Sequence, residues 1–232
     1  MHLYQYEDGY RYNSDSLVLY GFISQFKLKG QVLDVGSGCG ILGLLLKRDF
    51  SCIHLSQIEI QKAHYLLNEK NAQENGLETE MLLGSFLEFC FDKKFDFVVS
   101  NPPFYHEGSK KSENDALKIS RYANNLPLEA FCKKVSSVLK PRGSFLFCYD
   151  AKQIDLVFAA LKNNKFQVET LQFVHSKADK NANLVLIHAK KSSKALVNVL
   201  PPLILHDTDG NLAREVACIY EKSQTKSMLW QN

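Results

Sequence analysis

Two short runs in this 232-residue chain bring together residue types that serve a ligand better than they serve a core. The first is Asp34-Val35-Gly36-Ser37-Gly38-Cys39-Gly40, followed by Glu59 nineteen positions later. Glycines at 36, 38 and 40 let the backbone turn tightly and come close to a ligand, because no Cβ stands in the way. Their G-x-G-x-G spacing is not the G-x-G-x-x-G of dinucleotide enzymes, and no Lys-Ser/Thr follows to make a phosphate-cradling loop. A carboxylate at Asp34 repels pyrophosphate but suits ammonium or hydroxyl groups. An acid placed as Glu59 is can accept from both hydroxyls of a ribose. Singly, the glycines read as a helix-start device and Glu59 as a strand-end charge; together they predict nucleoside binding.

The second run is Asn101-Pro102-Pro103-Phe104. Consecutive prolines make a stiff loop without backbone donors at 102 and 103, so its carbonyls are held in place. Asn101 adds a side-chain carbonyl. Two acceptors that hold both hydrogens of a conjugated amine draw its nitrogen toward tetrahedral geometry and free its lone pair for attack. Phe104 offers a ring on which a planar substrate stacks. The plainer reading is a proline-stiffened turn after a strand. Position decides for chemistry, since the loop follows the glycine turn in strand–turn–helix order.

Short apolar runs alternate with segments of helical period, which predicts an α/β fold: a doubly wound, mostly parallel sheet with an antiparallel C-terminal strand. Helices are expected over 14–26, 41–48, 61–75 (ended by Gly76), 126–139 and 151–163, with a short one over 86–91. Strands are expected over 32–35, 52–58, 79–83, 95–100, 144–149, 168–174 and 184–189. Residues 104–125 and the tail after Lys190 read as irregular. The whole chain is expected to form one domain, with residues 1–26 as a cover, 27–190 as the core and 191–232 as an extension.

Composition suits that fold: 45% hydrophobic and 23% charged residues exclude disorder and fibrous repeats. No basic n-region precedes an apolar run at the start, and no stretch approaches the ~20 apolar residues a bilayer requires. Six cysteines without a C-x-x-C pair read as free thiols of a reducing cytoplasm, not a zinc site. The net charge of +3 is unevenly placed. Residues 1–105 carry 9 Lys/Arg against 13 Asp/Glu, whereas residues 106–232 carry 19 against 12. An acidic half joined to a basic one suits a small ligand in one part and an anionic polymer on the other.

Val32-Leu33-Asp34-Val35-Gly36-Ser37-Gly38-Cys39-Gly40 with its downstream Glu59 resembles the cofactor loop of class I S-adenosylmethionine-dependent methyltransferases. The resemblance implies that Asp34 lies by the methionine end, that Gly36, Ser37, Gly38 and Gly40 run under the sugar, and that Glu59 takes the ribose hydroxyls. Gly84-Ser85-Phe86 stands where that family often has Gly-Asp-aliphatic, so Ser85 and Phe86 are implied adenine neighbours, Ser85 through its backbone. No metal is implied, because a sulfonium is already an activated methyl donor. Asn101–Phe104 is similar to the (Asn/Asp/Ser)-Pro-Pro-aromatic motif of enzymes that methylate adenine or cytosine amines in nucleic acid, or a glutamine amide in protein.

Three further stretches resemble the bacterial tRNA valine adenine N6-methyltransferases: residues 9–17, which bring Asp15 to the cofactor side, residues 173–186, and residues 202–210. The implied function is adenine N6 methylation in RNA, above all tRNA. One departure is Ile119-Ser120-Arg121-Tyr122-Ala123, where only Arg121 matches the family's usual run. Lys110, Lys111 and Arg121 follow Phe104, and Lys177 and Lys180 lie between the last two strands, so all five are candidates for phosphate contacts. Any one of them also reads as a solvated surface cation. The competing classes are a protein-glutamine N5-methyltransferase, another rRNA or DNA amino-methyltransferase, and a cofactor-binding module without catalysis. Nothing resembles the N-terminal helical domain of the glutamine enzymes, and the intact Asn101–Phe104 opposes the last.

Overall fold

The computed structural model describes residues 1–6, 14–103 and 126–230. Phe104, Lys110, Lys111, Arg121 and the expected irregular stretch 104–125 lie outside them. A main sheet of nine strands is assembled from β2 (Gly30–Val35), β3 (Ile53–Glu59), β4 (Glu80–Leu83), β5 (Phe95–Ser100), β6 (Leu139–Asp150), β7 (Phe166–His175), β8 (Ala182–Lys191), β9 (Asn198–Val199) and β10 (Leu203–Ile204). Its order is β10-β7-β8-β6-β5-β2-β3-β4, with β9 also paired to β7. Strands β4, β3, β2, β5 and β6 are mutually parallel, while β8 runs antiparallel to both β6 and β7. The expected doubly wound α/β fold is thus present.

Alternation along the strands sorts side chains into two cores. On β6, Phe145 and Phe147 point to a layer formed by α4 (Leu128–Val138) and α5 (Ile154–Asn163). Leu146 and Cys148 point to the opposite layer of α1 (Ser14–Ile23), α2 (Ile41–Asp49) and α6 (Arg214–Ser223). Helix α1 is apolar nearly all round and accordingly buried on most of its surface, against α2, α6 and the sheet. Helix α3 (Lys62–Glu74) ends as expected, with Gly76 at φ 61° and Leu77 N–H closing back on the Ala72 carbonyl.

Two expectations are corrected, and one element not read from the sequence is added. Residues 86–91 form no helix, only a turn in which Phe89 N–H reaches the Ser85 carbonyl. Phe86, Phe89 and Phe91 instead pack as an aromatic cluster against Phe131 of α4, and that packing sets the path of the chain. The tail after Lys190 is not irregular: it adds β9 and β10 to the sheet, lays α6 on α1, and ends in β11 (Lys226–Trp230). The chain also opens with a strand, β1 (His2–Tyr6), which pairs in parallel with β11.

The free edge of β1 is satisfied by side chains of α3. Asn71 Oδ1 accepts from Tyr4 N–H at 2.7 Å and its Nδ2 donates to the Tyr4 carbonyl at 3.1 Å. Asn75 makes the same two-point contact with His2. Asn71 Nδ2 also donates to the Cys39 carbonyl of the glycine turn at 2.8 Å. Asn71→Ala therefore strips partners from three backbone groups, and it is expected to cost at least ~2 kcal/mol in a denaturant titration. Limited proteolysis should then cut near Tyr4 and Tyr6 first. Asn75→Ala, at a partly exposed position, should lose less.

Candidate active site

From β2 the chain winds to β3 and β4 on one side; from β5 it winds to β6 on the other. Such a reversal leaves a crevice beyond the carboxyl ends of the two strands. Both sequence motifs end there. The register pairs Asp34 with Val99, so the glycine turn leaves β2 at the same end at which Asn101 leaves β5. Ser100 Oγ ties the two strands by donating to the Val35 carbonyl at 2.8 Å.

Asp34 is buried, and its Oδ2 accepts from Gly43 N–H at 3.0 Å, bracing the first turn of α2. Burial pushes its carboxyl up to about 7; the Gly43 N–H pulls back, and the nearby Glu59 charge adds to the rise. A Cβ at Gly43 would sit 2.5 Å from Gln57 Oε1 and 2.8 Å from Asp34 Oδ2, so only glycine permits this packing. Glu59 is buried as well. Its Oε2 accepts from Gly38 N–H and its Oε1 from Gln61 N–H, both at 2.9 Å. Each of its oxygens keeps a second lone pair, which is what a ribose diol requires. Among the described residues no Lys or Arg forms an ion pair with Asp34 or Glu59.

The turn between them is built to be approached. Gly36, Gly38 and Gly40 all have positive φ. A Cβ on Gly36 or Gly38 would meet no described atom within 4 Å, whereas one on Gly40 would sit 2.0 Å from Asn68 Oδ1. The outer side of the turn is open while its inner side is packed. Asn68, fully buried on α3, donates to Ser37 Oγ at 3.0 Å and accepts from Gln57 Nε2 at 3.2 Å. Gly84 N–H, just before Ser85, donates to the Glu59 carbonyl at 2.9 Å, which brings this turn beside the acid. The Phe86 ring is turned into the aromatic core, 5.8 Å from Phe131. These residues fit a nucleoside cofactor: open glycine backbone below it, and an anchored acid with free lone pairs beside it.

Asn101 follows β5 with its amide held at both ends. Its Nδ2 donates to Ser16 Oγ and its Oδ1 accepts from Cys148 Sγ, each at 2.9 Å. Pro102 is buried and Pro103 half-buried, so the loop is anchored at its start. Asp15 begins α1 beside Ser16, close enough to Cys148 that its charge, after burial, helps push that thiol well up.

The lysines divide. The loop 176–181, carrying Lys177 and Lys180, lies at the same end of the sheet as Asn101, because β7 runs in the same sense as β5 and β6. Lys180 pairs with exposed Asp179 at 3.4 Å, and His175 Nδ1 donates to the Lys180 carbonyl. Lys190 and Lys191 lie at the opposite end of β8. There Lys191 donates to the Ser136 and Leu139 carbonyls and Lys94 to that of Ser137, closing the C-terminus of α4. Asn68, Asn71, Ser16 and Cys148 were not signalled by the motifs. Only a buried serine within an apolar helix hints at Ser16.

The family model for the methyltransferase small domain matches residues 14–153. A tRNA1(Val) (adenine(37)-N6)-methyltransferase of Aliivibrio fischeri is 23% identical over 172 residues, 73% of each chain. The ribosomal RNA small subunit methyltransferase C of Actinobacillus pleuropneumoniae is 35% identical over 92 residues, 40% of this chain and 27% of that one. Among solved structures, a predicted O-methyltransferase from Agrobacterium tumefaciens superposes with a TM-score of 0.71 at 15% identity, covering 92% of this chain and 99% of that one.

The raised Asp34 carboxyl carries a sign. Both states are protonated below the unfolded value near 4, so nothing is lost there; as pH rises toward 7 the unfolded chain ionises more readily than the fold. Stability from this group therefore falls between about 4 and 7. Asp34→Asn should raise the melting temperature at pH 8, and the gain should shrink toward pH 4. Melts of both proteins across that range check it.

Proposed function

The chain belongs to the methyltransferase small domain family, and from that premise we propose that it methylates the exocyclic N6 amine of an adenine in RNA, with tRNA as the substrate class and S-adenosylmethionine as the methyl donor. The observation that carries this reading is the register across the crevice. Neighbouring parallel strands end together there, one leading into the glycine turn and the other into Asn101 at the head of the proline loop, and Glu59 beside the turn keeps lone pairs that suit a diol. The tRNA-modifying relative, matched over 73% of both chains, supports the choice of substrate.

S-adenosylmethionine, when bound, supplies a methyl group on a positively charged sulfur. The chain's own residues bind and orient. Glu59 holds the ribose hydroxyls while bracing Gly38; Gly36, Ser37, Gly38 and Gly40 offer backbone at close approach. Asp34 sets the start of α2 beneath them, and Asp15 and the backbone of Ser85 and Phe86 border the site, the Phe86 ring being taken by the core. Asn101 Oδ1 and the Pro102 carbonyl accept the two hydrogens of the target amine, a pair of contacts that tightens as the nitrogen becomes tetrahedral. Pro103 keeps the loop stiff and Phe104 stacks on the base. Lys177 and Lys180 at the rim, with Lys110, Lys111 and Arg121, neutralise backbone phosphates.

Asn101→Ala should lower the rate at least ~10²-fold while cofactor affinity changes little. Glu59→Ala should do the reverse first, weakening the cofactor Kd in calorimetry by the ~1–3 kcal/mol of an unmet polar contact. The deciding comparison is mass spectrometry of nucleosides from the tRNA and rRNA of wild-type and deletion cells. Loss of N6-methyladenosine from the tRNA fraction alone is expected. The stretch shared with the ribosomal RNA enzyme favours a second reading, an exocyclic amine of rRNA, and a loss confined to rRNA would establish it instead. Unchanged RNA of both kinds would overturn the RNA assignment.

A further inference from the structure

An asparagine that must present its carbonyl has a geometric problem. The terminal torsion of its side chain is broad and two-fold, and a flipped amide offers N–H where an acceptor is needed. Facing an amine, that flip sets donor against donor. Something must hold the amide and choose its sense.

Two buried groups from distant parts of the chain do so here. Ser16 on α1, 3% exposed, accepts from Asn101 Nδ2; Cys148 on β6, fully buried, donates its S–H to Oδ1. A hydroxyl alone would tolerate either orientation, because it donates and accepts equally well. A thiol is a poor acceptor, so its end favours the carbonyl. Burial and the Asp15 charge keep that thiol protonated, and therefore a donor. We infer that Ser16 and Cys148 are positioning residues for amine methylation: they clamp the Asn101 amide so that Oδ1, with one lone pair held by the thiol, turns the other to the target nitrogen. This rests on the reading of Asn101 as the amine acceptor.

The clamp also explains why a serine and a cysteine interrupt otherwise apolar surfaces. Ser16 sits among Leu17, Val18 and Leu19, and Cys148 follows Phe145, Leu146 and Phe147. Both point at the one side chain of the loop that needs a fixed sense.

The test measures methyl transfer to total small RNA from deletion cells, with cofactor Kd by calorimetry and side-chain amide resonances by NMR. Ser16→Ala and Cys148→Ala should each lower kcat about 5- to 10-fold, the worth of one modest hydrogen bond, with KM for RNA and cofactor Kd within about 2-fold. Cys148→Ser keeps a donor and should recover most of the loss. Adding either alanine variant to Asn101→Ala should lower the rate no further. The Asn101 amide resonances, identified by their disappearance in Asn101→Ala, should shift in both single variants. Should Cys148→Ala fail to fold, Cys148→Val fills the space without a donor and reads the same loss. Wild-type kcat in the single variants, full additivity with Asn101→Ala, or unmoved amide resonances would each overturn the clamp. If Asn101→Ala itself keeps the wild-type rate, the amine-acceptor reading fails first. If only Asn101→Ala is slow, the clamp alone is wrong.

Discussion

The site depends on a line of three asparagine side chains, Asn68 and Asn71 on one face of α3 and Asn75 at its C-cap. Asn68, Asn71 and Asn75 are spaced three and four apart, so they stack on a single line of the helix. A primary amide carries donors and an acceptor at its tip, and can therefore satisfy an N–H and a C=O of the same residue. That capacity serves the unpaired edge of β1 directly, and single bonds from the same line of side chains brace the inner side of the glycine turn. Asn68 and Asn71 reach the turn at Ser37 and Cys39, while Asn71 and Asn75 hold β1. Asparagine is a weak helix former, and α3 accepts that cost to line a loop with matched partners.

Electrostatics follow from the same burial. Asp34 and Glu59 lie out of water with backbone N–H groups for company and, among the described residues, no cationic partner. Oriented amides at close range replace solvent for such carboxylates, though incompletely, and the raised Asp34 carboxyl records the deficit. A ligand bringing positive charge and hydroxyl donors would complete what the fold leaves short. Functional sites commonly concentrate this kind of unmet polarity.

The parallel strands, the glycine turn and the proline loop were legible because each has a local cause. Apolar strands buried on both faces read as continuous runs, and glycine and proline act on their own backbone. The misses are non-local. Strand β1 alternates His2-Leu3-Tyr4-Gln5-Tyr6, but its partner is at the far end of the chain and no hairpin announces it. Strands β9 and β10 are two residues each, too short for a period. Around Phe86 the pattern suggested a helix, and the phenylalanines chose the shape of the core instead. The basic half was misleading in part, because Lys191, joined by Lys94 from the acidic half, serves as a cap for α4 at the end away from the site. Ser16 and Cys148 could be found only once α1 and β6 were in place.

The parallel pairing of β1 with β11 also bears on the order in which the protein can be made. Met1 donates its amine to the Gln224 carbonyl, 223 positions away, and each residue of β1 pairs with one in the last strand. A ribosome adding about 5–20 residues per second exposes β1 roughly 10–40 s before its partner emerges. During that interval Asn71 and Asn75 offer the backbone of β1 an edge on which to rest. The glycine turn shares a partner, Asn71, with that waiting strand. The residues of β1 are thus among the last to be locked, and the support that Asn71 shares between them and the glycine turn is settled only after β11 has emerged.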